Sequence, residues 1–211
     1  MSKTLIRLFI LVALLLIAVS GCGKKDITPP LAPNNISNQP EQIDYLSLAK
    51  ESVENYKNYK YSESELENLK RSQKNVIFYY ASNGLRYTFP EKPDQPIFRS
   101  WFKDYDVTKI PEYDLDTLYK TELGGNVTLR PGTLVKTETV FETYISSGNG
   151  VLKKIPQEII DQVYGSNWQD NVIEIPNFYF AQYDTSGKIT TLADFPNIPK
   201  SLTIEKDKGI K

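Results

Sequence analysis

The sequence predicts an α+β fold: duplicated hairpin-helix-strand units forming a small, mostly antiparallel β domain, preceded by a helical neck. Three observations predict it. Two pairs of short strand-like runs flank glycine turns, Ser82-Asn83-Gly84 in one and Ser146-Ser147-Gly148-Asn149-Gly150 in the other. Each pair is followed by a helix-like stretch leading to a tryptophan, Trp101 or Trp168, and then by a short β-like segment closing in Ile-Pro. The landmarks also keep one spacing. Gly84 and Gly150 lie 66 residues apart, and each stands six residues before a proline, Pro90 or Pro156.

The chain begins outside that domain. Residues 1–21 carry Lys3 and Arg7, then an uninterrupted apolar run of 12 at residues 8–19. A membrane-spanning helix needs about 20 apolar residues, so this run is expected to be a signal segment. The string Val19-Ser20-Gly21-Cys22 that follows it resembles the lipobox of bacterial lipoproteins. The resemblance implies diacylglycerol on the Cys22 thiol and cleavage between Gly21 and Cys22. It also implies a protein lipid-anchored to the outer face of the cell membrane, or to the outer membrane where the source has two. Residues 22–42 hold Pro29, Pro30, Pro33 and Pro40 with almost no apolar content, the composition of a disordered tether.

Residues 43–73 change character. Leu46, Ala49, Val53 and Tyr56 form one helical stripe, and Ser62 with Glu65 forms a capping box for a second short helix carrying Leu66 and Leu69. The pattern predicts a helical hairpin packed on the domain, with a coiled-coil dimer neck as the alternative. The domain itself is expected over 76–196, with units at 76–111 and 141–176. The hairpins fall at 76–80 with 86–89, and at 141–145 with 151–155. Helices follow at 96–104 and 157–164, and closing strands at 107–111 and 172–176. Between the units, 126–130 and 133–136 are expected to pair around a type II turn at Pro131-Gly132. A further hairpin is expected from 178–183 and 188–192, and a flexible lysine-rich tail over 197–211.

Four strings occur in order: Tyr79-Tyr80-Ala81-Ser82-Asn83-Gly84-Leu85-Arg86-Tyr87-Thr88-Phe89-Pro90, Gly124-Gly125-Asn126-Val127-Thr128-Leu129-Arg130-Pro131-Gly132, Gly150-Val151-Leu152-Lys153-Lys154-Ile155-Pro156 and Tyr164-Gly165-Ser166-Asn167-Trp168. Together they resemble an uncharacterised exported module common in Candidate Phyla Radiation bacteria, over roughly residues 76–184. The resemblance implies a surface location and carries no activity and no catalytic residues.

Composition narrows the chemistry. There is no histidine, and the single cysteine is Cys22. Ser-His-Asp and Cys-His catalysis, His- or Cys-ligated zinc, haem, iron–sulfur sites and intrachain disulfides are therefore excluded, and neither a cofactor nor a metal is expected. A formal net charge of −1 gives no electrostatic footprint for nucleic acid. The acidic run Asp104, Asp106, Glu112, Asp114 and Asp116 is the place where paired carboxylates could cleave a glycoside, against the plainer reading of a solvated loop. Tyr80, Arg86, Tyr87 and Arg130 are the candidate binding face, aromatic rings beside cations that suit sugar or peptide. Cross-strand packing is the plainer reading of the same rings. Trp101 and Trp168 are expected to be equivalent core anchors. The expected function is a membrane-anchored, non-enzymatic binding or structural module of the cell envelope, with cell-wall glycan or envelope proteins as partners. The alternative is a glycan-processing envelope enzyme or accessory domain.

Overall fold

Residues 42–211, apart from 91, 93 and 94, are described by the structure, a computed structural model. The expected signal segment, the Gly21–Cys22 cleavage site and nearly all of the tether lie outside the described residues. Asp44 opens the first helix, α1 (Tyr45–Lys57), its carboxylate accepting the Leu46 and Ser47 N–H groups at 3.1 Å each. The capping box at Ser62 and Glu65 forms as predicted and starts α2 (Glu63–Glu67).

The first repeat then runs β1 (Leu69–Ser72), β2 (Ile77–Tyr80), β3 (Arg86–Thr88), α3 (Pro96–Trp101), a 3-10 turn (Val107–Lys109), β4 (Glu112–Tyr113), α4 (Leu115–Tyr119) and β5 (Leu123–Asn126). The second runs β6 (Leu134–Lys136), β7 (Tyr144–Gly148), β8 (Val151–Lys154), α5 (Gln157–Tyr164), a 3-10 turn (Trp168–Asn171), β9 (Val172–Glu174), α6 (Asn177–Phe180) and β10 (Asp184–Lys188). A last 3-10 turn (Leu192–Asp194) and α7 (Ile204–Asp207) complete the chain.

The strand orders are β4-β1-β2-β3-β5 and, read from the matching edge, β9-β6-β7-β8-β10. Element for element these are one topology. Each sheet is an antiparallel three-strand meander with one parallel strand added at either edge. Parallel neighbours require a crossover, and here each crossover is a short helix. From β3 the chain crosses one face by α3 to reach β4, and returns over the other face by α4 to reach β5. The protein is therefore α+β with a duplicated unit, as the sequence predicts; it has two similar five-stranded sheets, and the duplication is more complete than the predicted units.

Two apolar cores hold the repeats. The larger joins Leu69, Ile77, Tyr79, Tyr87 and the α3 residues Ile97, Phe98 and Trp101 to Val135 and Leu152 of the second sheet and to Ile175 just after β9. The smaller packs α1, through Ala49 and Val53, and α5, through Ile159, Ile160 and Val163, on Leu134 and Ile145. The two helices expected within residues 43–73 form and pack on the domain. The first helix is packed on the second repeat, and residues 69–72 are a strand of the first.

Several local expectations are corrected. The Pro131-Gly132 turn forms, with Thr133 N–H donating to Arg130 O at 3.1 Å and Gly132 at φ +91°. Its flanks do not pair with each other: β5 joins β3, and β6 joins β7 and β9. The hairpin expected at 178–192 is instead helix α6 followed by β10, parallel to β8. Residues 197–211 are not a flexible tail. Ile198, Leu202 and Ile204 are buried, and α7 reaches both hairpin tips. Glu205 accepts the Ser82 N–H at 2.6 Å and hydroxyl at 3.0 Å, while Asp207 accepts the Asn149 N–H at 2.9 Å. Trp101 and Trp168 are both buried but not equivalent: Trp101 ends α3, and the residue ending α5 is Tyr164.

Candidate functional site

The four residues of the expected binding face do not share a surface. Tyr80 and Arg86 lie on the face of the first sheet that α4 covers. The Tyr80 hydroxyl donates to Leu118 O at 2.9 Å, and Arg86 Nε donates to Thr121 O at 2.9 Å. The Arg86 guanidinium also sits 5.3 Å from the Phe78 ring and 4.7 Å from that of Tyr119. Both side chains pin the returning helix. Tyr87 points to the opposite face and is buried against β5, where a Cβ at Gly124 would come within 2.7 Å of its ring. The alternation of strand side chains separates Tyr87 from its neighbour Arg86.

Arg130 lies elsewhere again, in the segment joining the repeats, and is only 6% exposed. Its Nε donates to Ser100 O at 2.7 Å and its Nη2 to Tyr56 O at 2.8 Å. The backbone N–H of Arg130 donates to Ser100 Oγ at 3.1 Å. The guanidinium lies against two rings, 4.1 Å from the Tyr56 centroid and 4.4 Å from that of Tyr59. Among the described residues it forms no ion pair. Burial pushes its pKa below the ordinary arginine value. Removing a charge from water costs several kcal/mol, and here two carbonyls and two aromatic faces offset that cost without any carboxylate.

The same joining segment receives one hydrogen bond from the residue that ends the longer helix of each repeat, α3 or α5. Trp101 Nε1 donates to Thr128 O at 2.8 Å, and the Tyr164 hydroxyl donates to Gly132 O at 2.6 Å. Arg130 is thus fixed by α1, by α3 and by a linker that both repeats hold.

Above it opens a cleft of about 440 Å³. Its walls are the α1 exit and α3 exit, and its lining is Lys57, Tyr59, Lys60, Tyr61, Ser100, Trp101, Lys103, Asp104 and Arg130. Four of these are cations and one is an acid, in a chain whose formal net charge is −1. Lys57 has Glu54 at 3.8 Å, whereas Lys60 and Lys103 are exposed. Tyr59 donates its hydroxyl to Glu65 at 3.1 Å, and burial, then Glu65, keeps that phenol protonated. Tyr61 is half-buried, packed edge-on to Tyr105. Another hollow, about 460 Å³ between α1 and residues 192–200, is lined by Glu51 and Lys200 of opposite sign and by no buried ion.

Three residues of the acidic run serve structure. Asp106 caps the first 3-10 turn through Thr108, and Asp114 caps α4 through Thr117. These hydrogen bonds hold both carboxyls below the ordinary Asp value. Glu112 pairs with Arg71 at 3.1 Å across β1 and β4, while Asp104 and Asp116 are exposed. Among the described residues no group of three or more acidic, His or Cys side chains is placed to hold a metal, and no helix is long and apolar enough to cross a membrane.

Sequence reasoning placed Arg130 among candidates but missed its companions. The signal was present in Tyr56-Lys57-Asn58-Tyr59-Lys60-Tyr61, where rings and cations alternate beyond the helical stripe. No family model matches this chain, and searches of curated proteins and of solved structures return no match.

Proposed function

We propose that this chain is an exported lipoprotein, tethered to the cell envelope through lipid on Cys22, whose folded part is a non-enzymatic module binding an envelope component in the Arg130 cleft. The lipobox resemblance supports the anchor. The observation that carries the binding role is a buried, uncompensated Arg130 under a cleft of one predominant charge sign. Proteins seldom bury a cation without a carboxylate, and a guanidinium lying against two rings and opening onto a cleft is equipped for recognition. The volume falls in the range of small-ligand sites, about 300–1,000 Å³. Cell-wall glycan is the partner this chemistry suits best.

Two of the acidic residues weigh against the glycosidase reading. A general acid needs a carboxyl pKa raised towards neutrality, and the capping aspartates Asp106 and Asp114 are lowered instead. The test is retention of the purified full chain, in detergent, on isolated sacculi and surface glycans of the source. Retention without release of soluble sugar is the expected result. Absence of retention would sink the glycan-binding role, and sugar release would make the chain an enzyme. The anchor is tested separately: Cys22→Ser is expected to move the chain from the membrane fraction to the soluble one.

A further inference from the structure

We infer that the Arg130 cleft is a specific oxyanion site, receiving a carboxylate or phosphate group carried by an acidic glycan; this rests on the binding role proposed above. The geometry of the guanidinium decides which edge is open. Nε and Nη2 are engaged by Ser100 O and Tyr56 O along one edge, and the Tyr56 and Tyr59 ring centroids lie 4.1 Å and 4.4 Å from the guanidinium carbon. What is left is the far edge, where Nη1 and the second Nη2 hydrogen form a fork. Among the described residues Nη1 donates to no protein acceptor, and Arg130 lines the cleft. Two parallel N–H groups at that spacing match a carboxylate or a phosphate bidentately, and the group is held rigidly, so little side-chain freedom is lost on binding.

The surroundings select the same ligand class. Lys57, Lys60 and Lys103 stand around the mouth with only Asp104 opposing them. An anion entering this cleft supplies the counter-charge that the fold withholds from Arg130, and its gain is largest where the guanidinium is most desolvated. A neutral sugar finds two tyrosine rings but leaves that charge unpaired. The half-buried Tyr61, beside the cationic floor, offers the apolar surface on which a sugar ring carrying the anion can rest.

Arg130 also holds the fold, so the test leaves it in place. The full chain in detergent micelles is titrated by calorimetry with glucuronate, inorganic phosphate and glucose at one ionic strength set with potassium chloride. Saturable binding of glucuronate or phosphate, without glucose binding, is expected, and the tighter of the two anions names the group. In Lys60→Glu/Lys103→Glu, whose two positions are exposed, affinity is expected to fall about tenfold or more with the melting temperature unchanged, since two charges facing the anion are reversed. Glucose binding as tightly as the anions, no saturable anion binding, or an unaltered affinity in the double variant would each overturn the site. The outcome is separable from that of the sacculus experiment. Retention with no anion binding removes this site and leaves the envelope role; anion binding with no retention does the reverse.

Discussion

Arg86 in the first repeat and Leu152 in the second stand two residues beyond the glycines that close the two hairpins, on strands of matching position, β3 and β8. Arg86 lies half-buried under α4, stacked on Phe78 and Tyr119, whereas Leu152 is fully buried in the larger core. The two sheets share every connection and differ in what covers the face away from the longer helix. The first repeat closes that face with its own α4. The second offers it to the core it shares with the first, through Val135, Leu152 and Ile175. A duplicated topology therefore fixes the path of the chain but leaves each face free to become surface or core. The proposed cleft lies on neither sheet, but where the joining segment meets the ends of α1 and α3.

Exchanging the two characters breaks the comparison most severely. Leu152→Arg places an unpaired charge in the shared core and is expected to cost about 4 kcal/mol or more, or to prevent folding. The reverse change, Arg86→Leu, gives up one hydrogen bond and two ring contacts at a half-exposed site, for about 1 kcal/mol. Denaturant midpoints of the two variants measure the contrast. Similar costs would mean that the matching positions are not buried differently.

The helix ends sharpen the comparison at a smaller scale. Tyr164→Phe removes a buried donor from Gly132 O and is expected to destabilise by about 1–2 kcal/mol. Trp168→Phe removes an indole N–H that has no hydrogen-bond partner among the described residues, so its cost is one of packing and of the Lys136 contact over the ring, whereas Trp101→Phe loses packing and the bond to Thr128 O. Melting curves should rank Trp101→Phe above Trp168→Phe. The opposite order would restore the equivalence of the two tryptophans.

Smallest is a pH effect at the hairpin tips. Burial raises the Asp207 pKa above its ordinary value, so the folded chain holds that proton more tightly than the unfolded one. Stability should then fall slightly as pH rises from roughly 4, the ordinary Asp value, and Asp207→Asn should abolish that fall. The lowered carboxyls of Asp106, Asp114 and Asp184 act in the other direction and in another window. Their contribution is present above the ordinary value and is lost as the solution becomes more acid. Melting temperatures of both proteins between pH 4 and 7 isolate the Asp207 term.

The sequence made the repeat visible because its landmarks are local. A glycine turn, a proline six residues on and an Ile-Pro close each unit without help from distant residues. Edge strand β9 falls within the closing strand expected at 172–176, whereas β5 and β10 were illegible for a physical reason. Leu123-Gly124-Gly125-Asn126 and Asp184-Thr185-Ser186-Gly187-Lys188 have turn composition, and they are strands only because β3 and β8 present hydrogen-bonding edges to them. Leu69 fits a helical stripe with Leu66, which hid β1. Arg130 beside Pro131-Gly132 looked like a surface turn, since the carbonyl that buries it belongs to Tyr56, 74 residues earlier. Long-range partners, not local pattern, separate Arg130 from Arg86.

Those two arginines give the most direct test. In the full chain in micelles, the arginine side-chain N–H resonances are followed by NMR as glucuronate and then phosphate are added. A saturable shift of the Arg130 signal, with that of Arg86 unmoved, is the predicted result. A shift at Arg86 with Arg130 silent would return the binding face to the first sheet and contradict the linker cleft.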